Sequence, residues 1–583
     1  MPNTNQQSTL GHYCDVDGIW VNLIPYLSPA DIESLKKACK VFNTTLDQLD
    51  VAWQPFLNQL HSIDETISVT TQRGQTIKEA FFTAFEKVKT RQLAEIDFLA
   101  KGDPHKAEIF AGYPRLSAIE ANQKLNLSDL IAISSELDAF NIAIIKSKIR
   151  DLVVPQKLDI TFAITRFPKE LINDPEHEAF WDNLEQLRLP YNFLHTLPSN
   201  IHKLKNLTEL NCYQNKLTAL PNSIGKLKAL TILGCSYNQL TVLPSCIGEL
   251  KALTELNCSN NKLNTLPSSI AKLELLEKLI LQDNQFIKLP NSIGELQALT
   301  ELYCSRNHLT ELTEFIGNLK QLKILLLDSN QLSTLPSSIS ELQALTELIC
   351  SKNHLAVLPK RIGLLKALKV LDLNSNQLKT LPRSIGKLQA LTKLICSKNQ
   401  LITLPRSIGL LHSLIEMNLN ANRLKTFPHT IGKLKVLESL YSNENRLNYL
   451  PESIDLLKAL QHLTLYRNKL KTLPSSIGEL QALTELDCRN NQLIALPASL
   501  TNKFGEKWST DTLATQRRRV DTAPVVADVA PTLLVKRKLE SNQNAKRQRI
   551  SPREIDSLQL DDRWLPSAEK RNSDGKQSSP KRH

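Results

Sequence analysis

Ten cysteines and twelve histidines carry the richest chemistry in this 583-residue chain. Thiolates ligate zinc, close disulfides or attack electrophiles, and imidazoles ligate metals or relay protons. Spacing decides among these. Cys212, Cys235, Cys258, Cys304, Cys350, Cys396 and Cys488 are separated by 23 residues or its multiples, with no CxxC pair and no paired Cys/His spacing. The histidines form no HxxxH or HExxH group, and no Gly-rich phosphate loop is present. The expectation is no metal, no cofactor and no catalytic residue. An interior thiol acts as a small hydrophobe, which implies a reducing, cytoplasmic setting.

The element that must hold those thiols is a repeat. Asn192, Asn215, Asn238 and so on to Asn491 are fourteen asparagines at a constant interval of 23, without insertion or deletion. Each repeat reads approximately LxxLxCxxNxLxxLPxSIGxLxA, as in LTELNCYQNKLTALPNSIGKLKA over 207–229. The LxxLx(L/C) segment suits a short strand stacked in parallel on its neighbours about 4.8 Å away, its leucines filling a continuous interior. The Asn amide caps backbone groups at the turn. Proline cannot donate to a ladder, so the LP segment starts an irregular opposite side, and the Ile-Gly pair marks a further turn. From Leu281 to Leu419 the interior position alternates Leu and Cys, an apparent 46-residue unit.

The resulting motif resembles the leucine-rich repeat. That resemblance implies an α/β solenoid, a horseshoe with parallel strands on its concave face. Residues 183–500 hold the fourteen repeats, and 156–182, with Leu158, Ile160, Ile164 and Phe167-Pro168, read as an N-terminal cap.

Residues 12–60 follow another logic. Trp20, Leu23, Ile24 and Leu27 make one helical face. Ser28-Pro29 with Asp31 form an N-cap, and Ile32, Leu35, Cys39 and Phe42 make the next face. LIPYLSPADIESLKKACKVFN resembles an F-box, the helical module that docks the Skp subunit of cullin ubiquitin ligases; the Leu-Pro that opens that motif is absent, with Asp15-Val16 near its place. The resemblance implies Skp contacts at Leu23, Ile24, Tyr26, Leu27, Pro29, Ile32, Leu35 and Phe42, cullin-ligase subunits as partners, and a protein substrate on the repeats. Residues 61–155 read as an all-α spacer, a helical hairpin of Phe81, Phe85, Val88, Ile96 and Leu99 against Leu130, Ile133, Leu137, Phe140 and Ile144. The whole arrangement resembles effectors that intracellular bacteria deliver into host cells.

The outward strand position four before each ladder Asn places Ile280, Tyr303, Leu326 and Ile349 in consecutive repeats, then Ile395. Lys278, Arg306, Lys352, Lys393 and Lys398 stand on adjacent columns. An apolar stripe with a basic rim predicts a protein-binding surface; cross-strand stabilisation of the sheet is the alternative reading.

The net charge of +12 comes from 71 Lys and Arg against 59 Asp and Glu, and residues 501–583 alone carry a surplus of seven. Polar composition there predicts a disordered tail. Lys536, Arg537, Lys538, Lys546, Arg547 and Arg549 read as nuclear-import signals or weak polyanion contacts. The first residues show neither a basic start nor an apolar run, and no stretch nears the length of a membrane span, so a soluble chain is expected. Catalytic-Cys ubiquitin ligases that follow leucine-rich repeats are excluded by the lack of any Cys after Cys488.

Overall fold

The computed structural model describes residues 57–60, 77–100, 127–152 and 154–520, with isolated residues between 110 and 125. Helices α1 (Ile77–Ala100) and α2 (Leu127–Arg150) precede strand β1 (Lys157–Asp159) and two short helices, α3 (Lys169–Ile172) and α4 (Glu178–Asn183). Strand β2 (Gln186–Arg188) then opens a regular series that ends at β15 (Glu485–Asp487). All fifteen strands form one parallel sheet in sequence order. The chain is an α/β solenoid. From β2 onward the register is one residue to its equivalent 23 further on, as in Tyr303 opposite Leu326.

Each turn of the solenoid is a strand of three residues followed by a 3₁₀ helix, usually of five residues with proline just before it. The proline supplies an extended cap with φ near −67° and has no N–H to leave unpaired. One apolar layer runs between strands and 3₁₀ helices. Leu302, Cys304, Leu309, Ile316 and Leu319 show the positions that recur fully or almost fully buried in every turn. Hydroxyls add a second ladder: Thr231 Oγ1 donates to the Thr208 carbonyl and Thr254 Oγ1 to that of Thr231.

The repeat glycines answer a need other than turning. Among the described glycines only Gly505 has a positive φ. A Cβ built on Gly386 would lie 2.1 Å from the Ser407 carbonyl oxygen, so glycine there permits close approach of successive 3₁₀ helices. The left-handed backbone falls instead on the residue before each ladder Asn: Tyr191, Gln214, Tyr237 and their equivalents to Asn490 all have φ of 50–57°.

The helices close the N-terminal end. Phe81, Phe85, Val88, Ile96 and Leu99 of α1 and Leu130, Ile133, Leu137, Phe140 and Ile144 of α2 are buried, and Gln92 Nε2 donates to the Leu130 carbonyl. Contact with the array is polar as well as apolar. Phe98 packs on Phe193, while buried Asn141 accepts from the Thr165 amide. Glu95 is fully buried and receives Arg91 Nε at 2.9 Å and Arg166 Nε at 2.8 Å. Arg166 also reaches Ser134 and Asp138. Burial opposes the Arg166 charge, but Glu95 and Asp138 outweigh it and hold its pKa above the ordinary value.

The expectation of disorder from residue 501 fails for the first twenty residues. Helices α5 (Ala498–Phe504) and α6 (Glu506–Val520) continue the chain, separated by Gly505 at φ 87°. Leu500 is fully buried, and Phe504, Trp508 and Leu513 pack against the core. Leu500 and Phe504 share one face of α5, and Trp508 of α6 packs on Phe504 at a centroid distance of 5.0 Å, so the helices cover the last turn. Polar neighbours concealed this stripe.

Candidate functional site

Each of the fifteen short strands is three residues long and turns its first and third residues outward, so two columns of strand side chains run along that face. The ladder asparagines fix the columns. Asn353 Oδ1 accepts from the Leu332 amide, and its Nδ2 donates to the Leu327 and Cys350 carbonyls, joining two repeats. Every ladder Asn from Asn215 to Asn491 repeats this pattern, and the asparagines are at most 8% exposed. The face is therefore a rigid lattice whose outward residues are free to vary.

On it, β6 (Lys278–Ile280), β7 (Glu301–Tyr303), β8 (Ile324–Leu326) and β9 (Glu347–Ile349) align Ile280, Tyr303, Leu326 and Ile349 side by side. Asp372 interrupts the row before Ile395. All five apolar residues are half-buried, since each leans on its neighbours across the parallel pairs. Ile324 and Val370, at the first position of their strands, widen the patch; both are half-buried and lie outside the column of Tyr303. Their signal was the same 23-residue step, in a column reading Lys278, Glu301, Ile324, Glu347, Val370, Lys393.

The basic rim needs correction. Lys278 Nζ lies 3.6 Å from Glu301 and 5.7 Å above the Tyr303 ring, whose hydroxyl donates to Glu301 at 2.8 Å. Arg306 pairs with Asp283 at 3.6 Å and Lys393 with Glu416 at 2.9 Å. Lys352 and Lys398 are exposed and form no ion pair among the described residues. Asp328 and Asp372 add to the acids among these cations. Burial pushes the Asp283 and Asp372 carboxyls above the ordinary range, Arg306 opposing the shift at Asp283 and the Asn374 amide at Asp372. Asp328 accepts from the Ser305 hydroxyl. The patch is an apolar row within balanced charge.

The seven interior cysteines are buried thiols, and Cys235 Sγ lies 3.3 Å from Cys258 Sγ. Burial raises the thiols of Cys212, Cys304, Cys350 and Cys396, and that of Cys488 is pushed up to about 12. Such thiols are poor nucleophiles. Asp174, Glu176 and His177 converge at the surface near α3, but Lys146 Nζ lies 2.6 Å from Asp174 and already supplies its cation. No described helix is long and apolar enough to cross a membrane.

The F-box-like residues Leu23, Ile24, Tyr26, Leu27, Pro29, Ile32, Leu35 and Phe42 lie outside the described residues, as do Lys536, Arg537, Lys538, Lys546, Arg547 and Arg549.

A one-sheet parallel solenoid with a buried Asn ladder defines a repeat-scaffold class of protein. Residues 343–401 match the family described as Leucine rich repeat, and 228–272 match Leucine Rich repeats (2 copies). The solved structure of a leucine-rich-repeat protein of Leptospira interrogans is 34% identical, covers 61% of this chain and 95% of that one, and superposes with a TM-score of 0.54. The chain belongs to the leucine-rich-repeat family. A TDR receptor (24% identity, 62% of this chain and 68% of that one, TM-score 0.50) and the Toll–Spatzle complex of Drosophila (23%, 57% and 47%, TM-score 0.52) share the fold. No curated protein sequence matches significantly.

Proposed function

We propose that the chain is a non-catalytic receptor that holds a protein target on its sheet face. The observation that carries this reading is the in-register row Ile280, Tyr303, Leu326 and Ile349, flanked by Ile324 and Val370, on a sheet whose outward residues are otherwise largely polar. A half-buried apolar centre with charged surroundings is the usual anatomy of a protein interface. A held Tyr ring is a suitable anchor because little of its freedom remains to be lost on binding. Lys352 and Lys398 supply free cations at the edge, and Arg306 and Ile395 extend the contact.

The F-box resemblance of residues 12–60 supports a further role. The receptor would act as the substrate-binding adaptor of a Skp–cullin ubiquitin ligase, with transfer performed by other subunits, in the manner of a bacterial effector inside a host cell. Tyr303→Ala with Leu326→Asp should abolish capture of the target while leaving circular dichroism unchanged; capture at wild-type level would remove the sheet face from consideration. Purified Skp should bind the full chain and lose at least tenfold in affinity with Leu27→Ala plus Ile32→Ala. A full chain that captures a target but no Skp would instead be a scaffold without a ligase.

A further inference from the structure

A second feature occupies the start of the array, where the sheet passes into the turn. Phe162, Tyr191, Tyr213 and Tyr237 come from four successive turns, and their rings form a chain with centroid separations of 4.8, 5.2 and 5.2 Å. Phe162 and Tyr237 are 58% and 42% exposed, and Tyr191 and Tyr213 are half-buried. Three of the four occupy the left-handed column, which turns their side chains outward at the sheet edge. In a chain with 5% aromatic residues, four such rings in contact form a distinct surface.

Charge sets it apart from the row on β6–β9. The residues one and two before the ladder Asn are Pro190, Tyr191, Tyr213, Gln214, Ser236, Tyr237, Ser259 and Asn260, without one charge among them. From Asp283 onward the same columns carry Arg306, Asp328, Lys352, Lys398, Glu444, Arg467 and Arg489. The nearby Arg188 guanidinium is held by Glu209 through two hydrogen bonds of 2.7 and 2.8 Å. An uncharged rail of rings and amides complements an uncharged apolar segment and leaves a charged one unpaired.

Period then selects the backbone of that segment. Tyr191 and Tyr237 share one column two strands apart, about 9.6 Å at the usual inter-strand spacing. A polyproline II helix repeats its face every three residues, about 9.3 Å. An extended β-peptide repeats its face every two, about 6.7 Å, and falls out of step with the rail. We propose that Tyr191, Tyr213 and Tyr237, with Phe162 at the end, bind a proline-rich segment of a partner protein in the polyproline II conformation, prolines at every third position seating against Tyr191 and Tyr237. Tyr hydroxyls and the Gln214 and Asn260 amides face its carbonyls, which no internal hydrogen bond occupies.

Fluorescein-labelled decaproline, titrated against the full chain and read by anisotropy, tests this. Saturable binding is expected, weakened at least tenfold by Tyr191→Ser with Tyr237→Ser and unchanged by Tyr303→Ala with Leu326→Asp. That second pair separates this rail from the apolar row, so either surface can fail alone. A Gly-Ser decapeptide should not bind. No saturation by decaproline up to millimolar concentration, equal affinity for the Gly-Ser peptide, or equal affinity of a Tyr191→Ser/Tyr237→Ser protein with wild-type circular dichroism would each overturn the proposal.

Discussion

Two single residues per repeat do opposite work at the same turn. The ladder Asn satisfies an amide and two carbonyls that have no water, so its removal leaves buried backbone groups unpaired. The residue before it holds the left-handed conformation, which costs a side chain with a Cβ about 1–2 kcal/mol. Asn353→Ala should therefore lower stability by about 3 kcal/mol in urea unfolding, whereas Lys398→Gly should raise it by roughly 0.5 kcal/mol once the added freedom of the unfolded chain is counted. Lys398→Val, a β-branched residue at φ 51°, should destabilise. The asparagines were legible from spacing alone because their environment is identical in every turn. The left-handed column was not, because Tyr, Gln, Asp, Lys, Ala and Glu occupy it and no glycine betrays it. Ile324 and Val370 escaped for a related reason: a strand has more than one outward column, and patches form across columns.

At the scale of elements, the strands, the interior layer and the 23-residue step followed from periodicity, whereas α5 and α6 were hidden by polar composition around Leu500, Phe504, Trp508 and Leu513. The hairpin of α1 and α2 was visible as two apolar seams, but its attachment was not. No local pattern announces that Glu95, Asp138 and Arg166, far apart in sequence, converge. Removing Arg166 leaves the buried Glu95 carboxylate with Arg91 and the more distant His195 Nδ1 at 3.9 Å, so Arg166→Met should cost about 3 kcal/mol and speed proteolysis between α2 and β1. Asp138 has the opposite sign. Burial raises its carboxyl pKa in spite of Arg166, so the folded state holds the proton to higher pH than the unfolded chain does. Its stabilising contribution is full below the ordinary carboxylate pKa and is lost as pH rises through the folded value. Asp138→Asn, a neutral isostere, should match wild type in thermal midpoint near pH ~4 and equal or exceed it near pH ~7. A variant less stable than wild type at neutral pH only would show that the ion pair with Arg166 dominates instead.

The repeat array is a stack in which each turn meets mainly the turns before and after it, so its stability is a sum of turn and interface terms. The Leu–Cys alternation sharpens that statement. Interior position 281 is Leu, 304 Cys, 327 Leu, 350 Cys, 373 Leu, 396 Cys and 419 Leu, all at most 1% exposed. Removing residues 354–399 excises two turns and brings Cys350 beside Leu419, the same pairing that Cys396 makes now. Asn422 would still accept from Leu401, and its amide would meet the Cys350 carbonyl in place of that of Cys396. Removing only 354–376 instead places Cys350 beside Cys396 and leaves the smaller side chains facing each other across one layer. Cys235 and Cys258 show that such a pair can be packed, but there the neighbouring turns evolved around it. The 46-residue deletion should therefore fold with one cooperative urea transition at a midpoint equal to or above that of the 23-residue deletion, despite being a turn shorter. Because Ile280, Tyr303, Leu326 and Ile349 remain in register, it should also keep the target bound through Tyr303, but more weakly than wild type because Val370, Ile395 and Lys398 are removed. A lower midpoint for the longer deletion would mean that length, rather than the paired packing of adjacent turns, sets the stability of the stack.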